Sequence, residues 1–158
     1  MATVLQTPGK MNLEAARGAR VVIIEARYYE KIADDLVAGA MEVLRANGCE
    51  VARFDVPGAL EIPQALGLIV EGEAEIDGCV ALGCVIRGET YHFEIVCENA
   101  NHFLMQTAIE FAVPVGNGIL TVENEAQALA RASAKGGDAA RACLRLIAIQ
   151  REVGEASL

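Results

Sequence analysis

The chain has 158 residues, the size of one ordinary domain, with a formal net charge of -9. That charge, with no basic stretch to neutralise phosphates, argues against a duplex or RNA partner but leaves room for a small anionic substrate held by a local patch. Hydrophobic residues make up 53% while aromatics make up only 4%, so the apolar excess is Ala, Val, Ile and Leu, which fits either Ala-rich helix packing or surface hidden in an oligomer.

Residues 1–18 are mixed and punctuated by Gly and Pro, and read as a mobile or partner-bound arm. The main domain is read over 19–153, with a short tail at 154–158. RVVIIEA (20–26) is too short for a core helix and rich in β-branched residues, as expected of a covered parallel strand. Ile32, Leu36, Ala40, Val43 and Leu44 then form one helical stripe over 30–47, and Asn47-Gly48 supplies the stop. CEVARFDV (49–56) is a second strand ended by Pro57-Gly58, and 59–72 reads as a turn and a short helix with Pro63 in its first turn. Asp77-Gly78 precedes a third apolar strand, CVALGCVI (79–86), and a long helix follows to about residue 112. VPVGNGILTV (113–122) is the fourth strand. Two helices are expected after it, at 125–132 and 138–153, broken by Gly136-Gly137.

Strand, crossover helix, strand, repeated, predicts an α/β domain: a parallel sheet with helices on both faces. Ligands in such sheets sit at the carboxyl ends of the strands, near a topological switch point. The expected site therefore collects 27–29, 57–61, 85–92 and 116–117.

Five cysteines, at 49, 79, 84, 97 and 143, are odd in number and contain no CxxC, which suits a reducing compartment. Cys79 and Cys84 should point to opposite faces of one strand. His92 and His102 are about 80° from alignment on one helix, so no metal site is expected. No apolar run reaches transmembrane length and the amino terminus lacks a signal-peptide h-region, so cytoplasmic residence is the simple reading.

The most informative stretch is VIRGETYHFE (85–94). Gly88 lets backbone amides approach a ligand, Thr90 adds a hydroxyl near a helix start, and both suit an anion. His92 is placed to exchange protons with whatever the loop holds, or is merely a surface histidine on a capped helix. Tyr28 and Tyr29 are either interface residues or a platform for a flat heterocycle. Glu61 is a helix-start carboxylate or an acceptor for substrate hydroxyls. Arg131 and Lys135, four apart on one helical face, are a solvated pair or an anion clamp. No GxGxxG follows strand one, and neither GxxxxGK[ST] nor GxSxG occurs; the only serines are Ser133 and Ser157, and Cys84 and Cys97 lack an evident base partner.

Taken together, VPGALEIP (56–63), ALGCVIRGETYHFE (81–94), GNGILTVEN (116–124) and ARASAKGG (130–137) resemble the 6,7-dimethyl-8-ribityllumazine synthase family, in its order and spacing, over about residues 20–152. The resemblance implies a three-layer α/β sandwich with a flavodoxin-like four-stranded parallel sheet. It implies condensation of 5-amino-6-ribitylaminouracil with 3,4-dihydroxy-2-butanone 4-phosphate to give 6,7-dimethyl-8-ribityllumazine, phosphate and water, with no metal and no organic cofactor. By position, His92 matches the general acid/base and Tyr28 the aromatic that stacks on the pyrimidine. Ala59, Leu60 and Glu61 match the ribityl segment, and Val85 and Ile86 present backbone groups to the uracil. Gly88, Glu89 and Thr90 match the phosphate loop, and Arg131 the arginine that grips phosphate from a neighbouring subunit, with Lys135 a further candidate there. Tyr29 stands where an Asn often contacts the ribityl chain, Asn117 where many members place a Phe over the ring, and Ala139 where a second lysine is usual. The resemblance also implies a homopentamer with sites between subunits. A sixty-subunit shell stays open: the turn said to govern it, 134–140, has neither insertion nor proline, whereas the arm carries Pro8 and Gly9. The alternative is a lumazine- or flavin-binding or scaffold paralogue with little turnover.

Overall fold

A computed structural model describes residues 10–156. Four strands, β1 (Arg20–Ala26), β2 (Glu50–Val56), β3 (Gly78–Ile86) and β4 (Val115–Val122), alternate with helices α1 (Glu30–Ala46), α2 (Glu61–Glu71), α3 (His92–Glu110) and α4 (Glu125–Glu155). All pairings are parallel and the order is β2-β1-β3-β4. The chain thus winds outward from β1 to β2, then crosses back to β3 and β4, and the direction reverses between β1 and β3. This is the parallel sheet with helices on both faces expected from the strand and helix pattern, in the three-layer, flavodoxin-like arrangement that the resemblance implies.

The two central strands are covered on both faces, which explains their unbroken apolar runs. Val21 and Ile23 of β1, with Val80, Leu82 and Cys84 of β3, pack under α1 and α4. The alternate residues Val22, Ile24, Cys79, Ala81 and Val85 pack under α2 and α3. Cys79 and Cys84 therefore face opposite layers, as the period of two requires. β2 is one of the two edge strands and stays largely exposed, in keeping with its interleaved Glu50, Arg53 and Asp55.

The expected break between two final helices is absent: 125–155 is one helix. Gly136-Gly137 permits contact with α1 instead of ending the helix. A Cβ on Gly136 would fall 2.0 Å from the Leu36 carbonyl oxygen, and one on Gly39 would fall 2.0 Å from that of Ser133. Each glycine costs about 1 kcal/mol of helix propensity relative to alanine, offset here by close backbone packing between α1 and α4. Residues 134–140 are helical, so the turn on which shell formation was argued does not exist as a turn.

The stretch read as an arm enters the described residues at Lys10. From Asn12 to Arg17 it lies against α4: Arg145 donates to the Asn12 carbonyl at 2.9 Å, and Arg151 donates to those of Ala15 and Arg17 at 3.0 and 3.1 Å. Pro8, Gly9 and Ser157 lie outside the described residues.

One buried charge interrupts the apolar β1. Glu25 is 3% exposed, and its carboxylate accepts from Arg27 Nη1 at 2.8 Å and from Arg53 Nε and Nη2, both at 2.8 Å. Burial alone would raise its pKa, but the hydrogen bonds and charges of Arg53 and Arg27 outweigh it and hold the carboxyl below its usual value. A depressed folded pKa stabilises the protein above the unfolded value, and that contribution is lost as pH falls through the folded one. Glu25→Gln should therefore cost about 2–3 kcal/mol at pH 7, with the gap from wild type closing well below pH ~4. Thermal unfolding of both proteins across that range checks this; an equal gap at both ends would contradict it.

Candidate active site

A cleft of about 470 Å³ opens at the carboxyl ends of β1 and β3, where the winding reverses. Tyr28 and Tyr29 come from the exit of β1, residues 57–61 from the β2–α2 turn, and Cys84, Val85 and Ile86 from the end of β3. Gly88, Thr90 and His92, with Phe93 and Val96 from the start of α3, close the ring.

Tyr28 is 74% exposed and meets Tyr29 edge-on, with ring centroids 4.9 Å apart. Tyr29 is the residue before α1, and its carbonyl accepts from the Ala33 amide at 2.9 Å. Burial, chiefly, pushes its phenol pKa up. The exposed ring of Tyr28 is thus the one free to take a stacked partner.

Glu61 opens α2, its amide donating to the Gly58 carbonyl at 3.2 Å. Its carboxylate bends back over the turn, since a Cβ on Gly58 would sit 3.8 Å from Glu61 Oε2. The helix-start and the hydroxyl-acceptor readings are therefore compatible: one carboxylate sits in the first turn and faces the cleft.

The β3–α3 loop is as open as an anion needs. A Cβ on Gly88 would meet nothing within 4 Å among the described residues. Thr90 Oγ1 accepts from the His92 amide at 3.4 Å, a long bond, and α3 begins at His92. Glu89 is exposed on this loop, outside the cleft lining. Cys84 lines the cleft, but burial drives its thiol pKa to about 11, which leaves it protonated and a poor nucleophile at neutral pH.

Four residues expected at the site lie elsewhere. Arg131 and Lys135 are on α4, which packs on the α1 side of the sheet, and Arg131 Nη1 donates to the Gln127 carbonyl at 3.0 Å. Gly116-Asn117 was expected at the strand ends, yet it starts β4, whose carboxyl end is Val122. A parallel sheet puts those residues at the opposite rim. There Asn117 Nδ2 donates to Asn101 Oδ1 at 2.6 Å and its Oδ1 accepts from the Ile119 amide at 2.9 Å. It borders an apolar groove of about 370 Å³ between α3 and α4. Ala139 is buried against β4 and presents no cation.

Reading from sequence missed Phe93 and Val96 as cleft lining. The helical repeat could have found one of them, since Val96 stands four residues after His92 on the same face. Among the described residues no three His, Cys, Asp or Glu side chains gather to hold a metal ion.

This cleft offers an exposed ring, a carboxylate above a turn, an open glycine loop and a histidine at one rim. Residues 18–151 match the family described as 6,7-dimethyl-8-ribityllumazine synthase. A protein of that name from Azorhizobium caulinodans is 53% identical over 146 residues, covering 87% of this chain and 90% of the relative. One from Xanthobacter autotrophicus is 51% identical over 158 residues, covering 94% and 95%, and one from Methylorubrum populi is 50% identical, covering 90% and 89%. The chain belongs to the 6,7-dimethyl-8-ribityllumazine synthase family.

Proposed function

We propose that this enzyme condenses 5-amino-6-ribitylaminouracil with 3,4-dihydroxy-2-butanone 4-phosphate to form 6,7-dimethyl-8-ribityllumazine and phosphate. The observation that carries the reading is the convergence of Tyr28, Glu61, Gly88, Thr90 and His92 on one cleft at the switch point. The pyrimidine stacks on Tyr28, its uracil edge pairs with backbone groups of Val85 and Ile86, and its ribityl hydroxyls bond to Glu61 and the turn at Ala59 and Leu60. The phosphate lies on the loop of Gly88, Glu89 and Thr90. The pyrimidine amine adds to the ketone and one water leaves, giving a Schiff base. Phosphate is then eliminated, and the ribityl nitrogen closes the second ring on the remaining carbonyl with loss of another water. His92 gives and takes the protons that these additions and eliminations need. Mixing both substrates with the protein should produce lumazine fluorescence well above the uncatalysed rate. Saturable binding without that gain would instead support a lumazine-binding paralogue, a reading favoured by Asn117 facing Asn101 where the family often has a Phe.

The cleft is half of the proposed site. Its anion loop has no cation from α4 of its own chain, and Arg131, with Lys135 beside it, closes on the phosphate of a neighbouring subunit in a ring of five. Exposed apolar side chains on α3, Phe103, Met105 and Ile109, support a covered surface there. This favours the second explanation of the apolar composition. Sedimentation velocity should give about 84 kDa for five chains of 16.7 kDa; about 1 MDa would mean a shell of sixty. Arg131→Ala should raise KM for the butanone phosphate about tenfold or more, and far less for the pyrimidine. Equal effects on both substrates would contradict the clamp. Among the described residues no helix is long and apolar enough to cross a membrane, and five free thiols suit a reducing cytoplasm.

A further inference from the structure

Within VIRGETYHFE, Arg87 is the one cation, and the proposed chemistry leaves it without a task. It does not line the cleft, yet it makes four directed contacts around it. Its amide donates to the Val122 carbonyl at 2.9 Å, extending the β3–β4 ladder by one residue. Its guanidinium donates through Nε to Glu123 Oε2 at 2.8 Å and through Nη1 to Glu94 Oε1. Its guanidinium carbon also lies over the Phe93 ring, with Cζ 4.3 Å from the centroid. Glu123 is itself held by the first turn of α4, since its amide donates to Gln127 Oε1 at 2.8 Å.

These contacts have one geometric effect. Residues 88–91 form a loop whose entrance is fixed by Arg87 and whose exit is the first turn of α3, and Arg87 grips both ends at once. The two residues it grips on α3, Phe93 and Glu94, immediately follow His92. α3 starts at His92 without a side-chain cap, and the only hydrogen bond its amide makes to a side chain among the described residues is the long one to Thr90. Phe93 and Val96 seat this helix start on the core, and Arg87 adds the polar tie that joins it to the end of β3 and to Glu123. Two carboxylates balance its charge, so it is a poor source of attraction for a substrate phosphate.

We infer that Arg87 is a positioning residue for His92: by bridging Glu94 and Glu123 and placing its charge over the Phe93 ring, it sets where the imidazole stands above the anion loop. A planar, forked cation can do all three at once, which an ammonium cannot. Displacing a reacting group by about 1 Å is enough to cost up to about a hundredfold in rate.

The inference rests on the proposed role of His92, and a double-mutant cycle on the full-length protein separates the two. Arg87→Ala should lower kcat about tenfold or more with little change in KM for either substrate. In a His92→Ala background the same substitution should cost less than about twofold, because the group it positions is gone. An equal loss in both backgrounds would show a general structural role and overturn the inference. So would a raised KM for the butanone phosphate at unchanged kcat, which would make Arg87 a phosphate ligand. Should His92→Ala alone keep wild-type kcat, the His92 reading fails at its own corner of the cycle and the inference falls with it. Where Arg87→Ala does not fold, Arg87→Lys takes its place; it keeps the charge but loses the fork, and should show the same non-additive loss.

Discussion

Replacing His92 with alanine lowers kcat by about 10–10⁴-fold if proton transfer dominates the barrier. The imidazole is at the first residue of α3, on the rim of the cleft and beside the open loop at Gly88. Each addition needs an amine proton removed and each dehydration needs a hydroxyl protonated, and an imidazole can serve as base in the one and acid in the other. The lower end of the range is set by the chemistry itself. An amine condenses with a ketone in water unaided, so holding the two substrates together supplies a large part of the acceleration and survives the substitution. Substrate KM values should move little, because the stacking ring, Glu61 and the loop are untouched. Steady-state kinetics between pH 6 and 8 checks this, and wild-type kcat throughout would contradict the assignment.

The second large effect is on stability. Gly136→Val should prevent folding or cost on the order of 4 kcal/mol or more, because its Cβ would lie 2.0 Å from a backbone carbonyl oxygen of α1. Relief requires α1 and α4 to move apart, which would open the layer formed by Leu36, Ala40, Ala132 and Ala140 beneath them. Gly154→Ala is the control in the same helix. Its Cβ meets nothing within 4 Å among the described residues, so helix propensity alone should stabilise by about 0.5–1 kcal/mol. Thermal unfolding separates the two, and a Gly136→Val protein with wild-type Tm would contradict the close helix crossing.

Much of the architecture was legible because one periodicity dominates each segment. The runs at 21–24 and 79–86 are apolar on both faces of the pleat, as only strands buried on both faces need to be. The stripe from Ile32 to Leu44 has only one helical solution. What failed was punctuation with two physical meanings. Gly136-Gly137 looks the same in sequence whether it ends a helix or lets a second helix touch its backbone, and the carbonyl of Leu36 decides which. Asn117 was misplaced because a glycine-rich polar stretch signals a loop equally well at either end of a strand. Glu25 escaped notice because its partner Arg53 lies on the next strand, in a register that becomes visible only when Ile24 pairs with Phe54. The cleft was read better than the helix ends. A helix start after a buried strand confines Gly88, Thr90 and His92 to one rim, whereas a partner residue on another chain leaves no local pattern.

A cleft carrying His92 is proposed to work with Arg131 from a neighbour, and co-assembly of two damaged proteins distinguishes this from a site built within one chain. His92→Ala and Arg131→Ala are each expected to be poor enzymes at low butanone phosphate concentration. Co-expressed and assembled at random, about a quarter of the contacts in a ring pair an intact His92 with an intact Arg131. The mixed assemblies should then show several times the activity of either variant alone, approaching about a quarter of wild type. Activity no higher than the average of the two separate variants would contradict a site shared between subunits.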